Sequence, residues 1–139
     1  MKESAIDMDR LMAHARSARS KAYAPYSGFK VGSAVITKTG RIYEGCNVEN
    51  AAYGLSNCAE RTALFRAIVD GCRPGDFLAL AVVADSPQPV APCGACRQVI
   101  VELCAPDMPV IMGNVNGDHR VFNVEQLLPG AFSRVDLEK

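Results

Sequence analysis

Apolar residues Met8, Leu11, Met12, Ala15, Ala18 and Ala22 recur every three or four positions, so one stripe of a first helix faces inward. Ser4 and Asp7 supply its start signal, and Arg16, Arg19 and Lys21 suit its negative end. After a loop at 23–28 the pattern changes: 29–37 and 41–48 read as strands joined by Lys38-Thr39-Gly40, an antiparallel hairpin. Small and polar residues at 49–57 lead to a second helical pattern, Ala59, Ala63, Leu64, Ala67 and Ile68, which Gly71 stops. The run 77–84 is apolar throughout, as in a strand covered on both faces. A loop at 85–92 with three prolines precedes a third helix continued by Val99, Ile100 and Leu103. Residues 109–115 form the next strand, Asn116-Gly117 a turn, and 119–122 a last strand.

Strand, helix and strand in the second half make a parallel crossover, while the first half is antiparallel. The expected fold is therefore α/β: a three-layer α/β/α sandwich with a mixed sheet of about five strands. Residues 1–139 read as one domain, without repeat, linker or low-complexity tract. The second and third helices both follow strands, and open α/β sheets place ligand crevices at the carboxyl ends of strands.

Both of those helices open on cysteine: Cys58-Ala59-Glu60 in one, Pro92-Cys93-Gly94-Ala95-Cys96 in the other. Cys93 and Cys96, three residues apart at a helix start, share one face and grip one ion, with Cys58 as the third ligand from elsewhere. Three protein ligands leave zinc a fourth position for water, and Glu60 beside it serves as general acid/base. Asn57 reads as the N-cap of the first cysteine helix, and Pro92 suits a position just before or at the first turn of the second. The thiolates then sit against two positive helix ends. Zinc with three thiolates carries a net single negative charge, which the helix dipoles favour and Arg61 offsets further.

Composition narrows the classes of function. Lys plus Arg and Asp plus Glu number fifteen each, so no global field recruits nucleic acid or an anionic membrane, and a small, weakly charged substrate fits better. The first seven residues carry acids and lead into the amphipathic pattern, unlike a signal peptide, and no apolar run reaches the length of a membrane span. The protein is read as cytoplasmic, where six cysteines speak for metal or free thiols before disulfides. A lone Cys-x-x-Cys also occurs in redox pairs and in four-cysteine structural sites, for which Cys46, Cys72 and Cys104 are the available fourth ligands. Their other reading is as small apolar thiols in the core.

The segments Cys58-Ala59-Glu60-Arg61 and Pro92-Cys93-Gly94-Ala95-Cys96-Arg97-Gln98 resemble the zinc-dependent cytidine/deoxycytidylate deaminase family, in its small homotetrameric type. The resemblance runs nearly the full length, through Tyr23-Ala24-Pro25-Tyr26-Ser27, 45–51 (Gly-Cys-Asn-Val-Glu-Asn-Ala) and 127–132 (Leu-Leu-Pro-Gly-Ala-Phe). It implies one zinc per subunit on Cys58, Cys93 and Cys96, and hydrolytic deamination of cytidine and deoxycytidine to uridine and deoxyuridine in pyrimidine salvage. Glu60 would then act as base and acid in turn. It further implies that Asn47 and Glu49 bind the ribose hydroxyls, that Phe29 and the Ala59 backbone contact the pyrimidine, and that Tyr53 and Phe132 reach a neighbouring subunit's site. Active sites would lie at the interfaces of a homotetramer. Arg61 and Gln98 resemble residues that hold the cysteine sulfurs.

Two other classes stay open: a deaminase of another amine, such as an aminonucleoside antibiotic, and a noncatalytic zinc or thiol module. The pairing of Asn47 with Glu49, the lack of a phosphate clamp and the balanced charge argue against a nucleotide or a nucleic-acid base as substrate.

Overall fold

The computed structural model describes residues 7–138. Its elements in chain order are α1 (Met8–Arg19), β1 (Val31–Thr37), β2 (Ile42–Cys46), α2 (Ala59–Val69), β3 (Phe77–Ala84), α3 (Gly94–Leu103), β4 (Pro109–Asn114), β5 (His119–Asn123) and α4 (Val124–Leu127), with short 3-10 turns at Tyr53–Leu55 and Arg134–Leu137. Asp7 caps α1, accepting the Arg10 N–H at 3.0 Å, while Ser4 lies outside the described residues.

The five strands form one sheet in the order β2-β1-β3-β4-β5. Only β3 and β4 run parallel, as the intervening α3 requires; the other three pairs are antiparallel. The apolar run of β3 occupies the centre, and its alternate residues serve two cores. Ala79, Ala81 and Val83 pack with Leu11, Met12 and Ala15 of α1. Leu80 and Val82 pack on the opposite face with Ala63, Leu64 and Ala67 of α2 and Ile100 of α3. These are the three layers expected from the sequence, with a mixed sheet of five strands between helices.

Two glycines let helices approach the sheet. A Cβ on Gly32 would stand 1.9 Å from the Ala15 carbonyl oxygen, and one on Gly45 would stand 2.4 Å from the Ala63 nitrogen and 2.5 Å from the Ala59 oxygen. Such distances are sub-contact, so the seating of α1 and of α2 depends on hydrogen at those positions.

Several element ends differ from the sequence reading by a residue or two, and three of the differences have a visible cause. The first helix stops at Arg19, short of Ala22, because the Ser20 hydroxyl turns back to the Ser17 carbonyl and Tyr23 N–H goes to the Asn47 carbonyl. The strand β1 starts at Val31 and not at 29: the Asn47 side chain accepts from Val31 N–H (2.8 Å) and donates to the Phe29 carbonyl (2.9 Å), taking bonds a ladder would otherwise use. Cys58, not Asn57, is the N-cap of α2, and the Asn57 amide donates instead to the Thr62 hydroxyl at 3.1 Å.

Candidate active site

Cys58 and Cys93 are the N-cap residues of α2 and α3, and neither uses its side chain to cap. Their carbonyls accept the first helical bonds, from Thr62 and Arg97, so the two sulfurs are left free at the positive helix ends. Cys96, buried in the first turn of α3, completes the group. The three Sγ atoms lie within 4.8 Å of one another, with Cys58 and Cys93 at 3.6 Å. Zinc–sulfur bonds of about 2.3 Å at tetrahedral angles separate sulfurs by roughly 3.8 Å, so this donor set fits zinc by chemistry and by spacing. Among the described residues, Cys46, Cys72 and Cys104 stand outside the cluster. Burial pushes the Cys104 thiol up to about 12, as befits an inert core thiol.

Charge is concentrated on Cys58. The adjacent Cys96 thiol, then the Arg61 guanidinium and the Cys93 thiol bring its pKa down to about 5. The Cys96 thiol is pushed up in turn, first by the neighbouring Cys58 sulfur and then by burial. Arg61 Nη2 donates to Cys58 Sγ at 3.2 Å, and its Nε is buried without a hydrogen-bond partner. A guanidinium kept in this position, with its charge stabilised chiefly by the Cys58 sulfur, offsets the thiolate charge that zinc alone leaves over.

Glu60 is 4 % exposed, one residue inside α2. Burial pushes its carboxyl up to about 7, with the Cys58 charge adding to the rise and its own backbone N–H and Arg61 opposing it. A carboxyl that titrates near neutrality takes and returns a proton with little bias, the property required of a group that alternates between base and acid.

The carboxyl opens on a cavity of about 280 Å³ that Phe29, Asn47, Glu49, Ala59, Cys58 and Cys93 help to line. This is close to the lower end of small-molecule sites, roughly 300–1,000 Å³. A neighbouring space of about 410 Å³ shares Ser27, Asn47, Glu49 and Cys58 with it and adds Tyr26 and Tyr53, whose rings meet edge to face at 6.1 Å. A larger cavity, about 520 Å³, lies between α2 and β2, lined by Tyr43, Phe65 and Val69 among others, and contains none of the three ligands.

The substrate-side residues named from the sequence fall into two groups. Asn47 and Glu49 lie within the first cavity's wall: Asn47 braces 29–31, and the Glu49 carboxylate accepts from Tyr26 N–H (2.9 Å), Ser27 N–H (3.1 Å) and the Ser27 hydroxyl. The Ser27 hydroxyl, followed by those backbone donors, holds Glu49 below the usual carboxylate range. Phe29 is 43 % exposed at this cavity and Ala59 is buried at its floor. Tyr53 (75 % exposed) lines only the neighbouring space, and Phe132 (59 % exposed) lines neither. Gln98 donates to the Phe132 carbonyl at 2.7 Å and makes no bond to a cysteine sulfur.

Sequence reading missed Ser27 and Arg97. Arg97 donates from Nε to the Pro92 carbonyl (2.9 Å) and from Nη1 to the Leu127 carbonyl (2.8 Å), pinning the residue before Cys93 to the end of α4. An arginine one residue past the second cysteine of Cys-x-x-Cys carried the signal for it.

The family model of the cytidine and deoxycytidylate deaminase zinc-binding region matches residues 6–112. A cytidine deaminase of Sporosarcina psychrophila is 55 % identical over 132 residues, 95 % of this chain and 96 % of that one. One from Halalkalibacterium halodurans is 53 % identical over 132 residues, covering 95 % and 98 %. The crystal structure of a cytidine deaminase from Burkholderia pseudomallei superposes with a TM-score of 0.90 at 56 % identity, over 91 % of this chain and all of that one (100 %). With a family model over most of the chain, relatives matched nearly end to end and the same fold, this chain belongs to the zinc-binding cytidine and deoxycytidylate deaminase family.

Proposed function

We propose that this protein hydrolyses cytidine and deoxycytidine to uridine and deoxyuridine with release of ammonia. The observation that carries the reading is the placement of Glu60, a buried carboxyl, beside three convergent sulfurs and at the cavity that Asn47 and Glu49 line. Cys58, Cys93 and Cys96 would hold zinc, which would supply a Lewis acid able to make water acidic near neutrality. Glu60 accepts the proton that the attacking water loses and delivers it to ring N3. It then takes the second proton of that water, from the hydroxyl added at C4, and passes it to the exocyclic nitrogen, which departs as ammonia as the C4 carbonyl forms, so water in and ammonia out balance.

Asn47 and Glu49 bind the sugar hydroxyls, Phe29 stacks at the base, and the Ala59 backbone contacts the base edge. Arg61 steadies the cluster from outside, while Gln98 holds the segment that carries Phe132. Tyr53 and Phe132 act at a neighbouring subunit's site, which fits their exposure and their absence from the wall of the cavity that holds Glu60. The assembly is a homotetramer, one zinc per subunit, in the cytoplasm, serving pyrimidine salvage. Exposed Phe65 and Val69 beside the 520 Å³ cavity support burial between copies. No helix among the described residues is long and apolar enough to cross a membrane. The partner is a free nucleoside, and the balanced charge argues against nucleic acid.

Zinc-quantified protein assayed by ultraviolet absorbance on cytidine, deoxycytidine and dCMP tests the reading. Nucleoside loss with ammonia release supports it; turnover confined to another amine, or none by the zinc-loaded protein, overturns it. Light scattering on the same sample checks for four copies.

A further inference from the structure

The segment 23–30 is laced to 47–49 by hydrogen bonds, and Ser27 sits at the crossing point. Its hydroxyl, with one donor and two acceptor sites, donates to Glu49 Oε2 and accepts from the Phe29 N–H at 3.0 Å. Glu49 Oε1 is meanwhile filled by the N–H groups of Tyr26 and Ser27. A carboxylate offers about four lone-pair sites. Three are taken by the protein here, and the one left over is on Oε2, the oxygen that Ser27 holds. The same two residues line both the 280 Å³ cavity and the 410 Å³ space beside it, so the pair stands as a wall between them.

We infer that Ser27 is a positioning residue for sugar selection: its hydroxyl fixes the Glu49 carboxylate so that a single acceptor site faces a sugar hydroxyl, and the same oxygen anchors the backbone of Phe29. The inference rests on the proposed role of Glu49 toward the sugar. Without the hydroxyl, Oε2 has no protein donor and swings about Oε1, while the Phe29 N–H loses its acceptor. The backbone donors to Oε1 remain, so Glu49 stays in the wall but is no longer aimed. The effect falls on substrates that present a 2′- or 3′-hydroxyl and spares those that lack both.

Steady-state kinetics on cytidine and 2′,3′-dideoxycytidine, for wild type, Ser27→Ala, Ser27→Thr and Glu49→Ala, test this. In Ser27→Ala the ratio of kcat/KM for cytidine to that for dideoxycytidine is expected to fall about tenfold, the size of one bond to a charged group, through KM for cytidine. Ser27→Thr, which keeps the hydroxyl, is expected to restore the ratio. Equal losses on both substrates in Ser27→Ala, or no loss, overturn the inference. If Glu49→Ala collapses the ratio and Ser27→Ala does not, the inference alone fails; if Glu49→Ala leaves the ratio intact, the sugar role of Glu49 fails first and the inference with it.

Discussion

The Gln98 side-chain amide donates to the Phe132 carbonyl at 2.7 Å, joining α3, which carries two of the three clustered sulfurs, to the segment that carries the exposed phenyl ring. With Arg97 holding the Leu127 carbonyl, two successive residues of α3 fasten 127–132. Gln98→Ala removes one neutral bond, a matter of about 0.5–1.5 kcal/mol. Amide exchange in 130–132 is expected to speed up and KM for cytidine to rise about three- to tenfold, with zinc content unchanged. Loss of zinc in the variant would instead make Gln98 a support of the sulfurs themselves.

Glu60→Gln keeps shape and removes the proton carrier. Because Cys58, Cys93 and Cys96 are untouched, bound zinc is expected to stay at the wild-type level while kcat/KM falls by about 10²–10⁴, the usual contribution of a positioned acid or base. Metal analysis and initial rates on one sample decide it. Turnover equal to wild type would remove Glu60 from the chemistry.

Cys96→Ala takes away a ligand that is buried in the first turn of α3. Metal binding and folding are linked. Chelator is therefore expected to lower the melting temperature of wild type and to leave that of the variant, already low, where it is. A variant with full zinc and unchanged melting would contradict the three-sulfur site.

Gly45→Ala places a methyl 2.5 Å from the Ala59 carbonyl oxygen, in the turn that follows Cys58 and contains Glu60. Either α2 moves or β2 does, and overpacking of this kind costs typically about 1–3 kcal/mol. Urea denaturation is expected to show that loss, together with weaker zinc retention, whereas Gly54→Ala, whose Cβ meets nothing within 4 Å, is expected to be near neutral. Wild-type stability in Gly45→Ala would mean that the helix seat is looser than drawn.

Much of this arrangement was legible in residues close together in sequence. An eight-residue apolar run identified the central β3, and the three cysteines with Glu60 are fixed by spacings within two helix starts. What was not legible are ties across long separations. Arg97 with Leu127, 30 residues on, and Gln98 with Phe132, 34 on, leave no periodic trace. Nor does the Asn47 side chain acting in place of a strand at 29–31. The N-cap of α2 was misplaced for a chemical reason: Asn57 is the better capping residue in general, but the chain gives the position to Cys58, whose sulfur does not cap. Two short elements were overlooked despite a local signal: α4, with the capping box of Asn123 and Gln126, and the turn Arg134–Leu137, with that of Ser133 and Asp136.

Tyr43 on β2 and Asp70 at the end of α2 give a tie whose strength depends on pH. The Tyr43 hydroxyl donates to Asp70 Oδ2, which also receives Arg41 Nη2 at 2.9 Å. The bond to Asp70, and then burial, push the Tyr43 hydroxyl up to about 12 from 10.0, against the pull of Arg41. A group whose pKa is raised on folding adds stability that is whole below its unfolded value and disappears as pH climbs through the folded one. The tie is thus intact below pH 10 and lost between there and about pH 12. The melting temperature of wild type minus that of Tyr43→Phe is expected to be positive at pH 8 and to shrink toward zero above pH 11, since all other titrations are common to the two proteins. A difference that holds constant across that range would show that the ring's packing, and not its hydroxyl, joins β2 to α2.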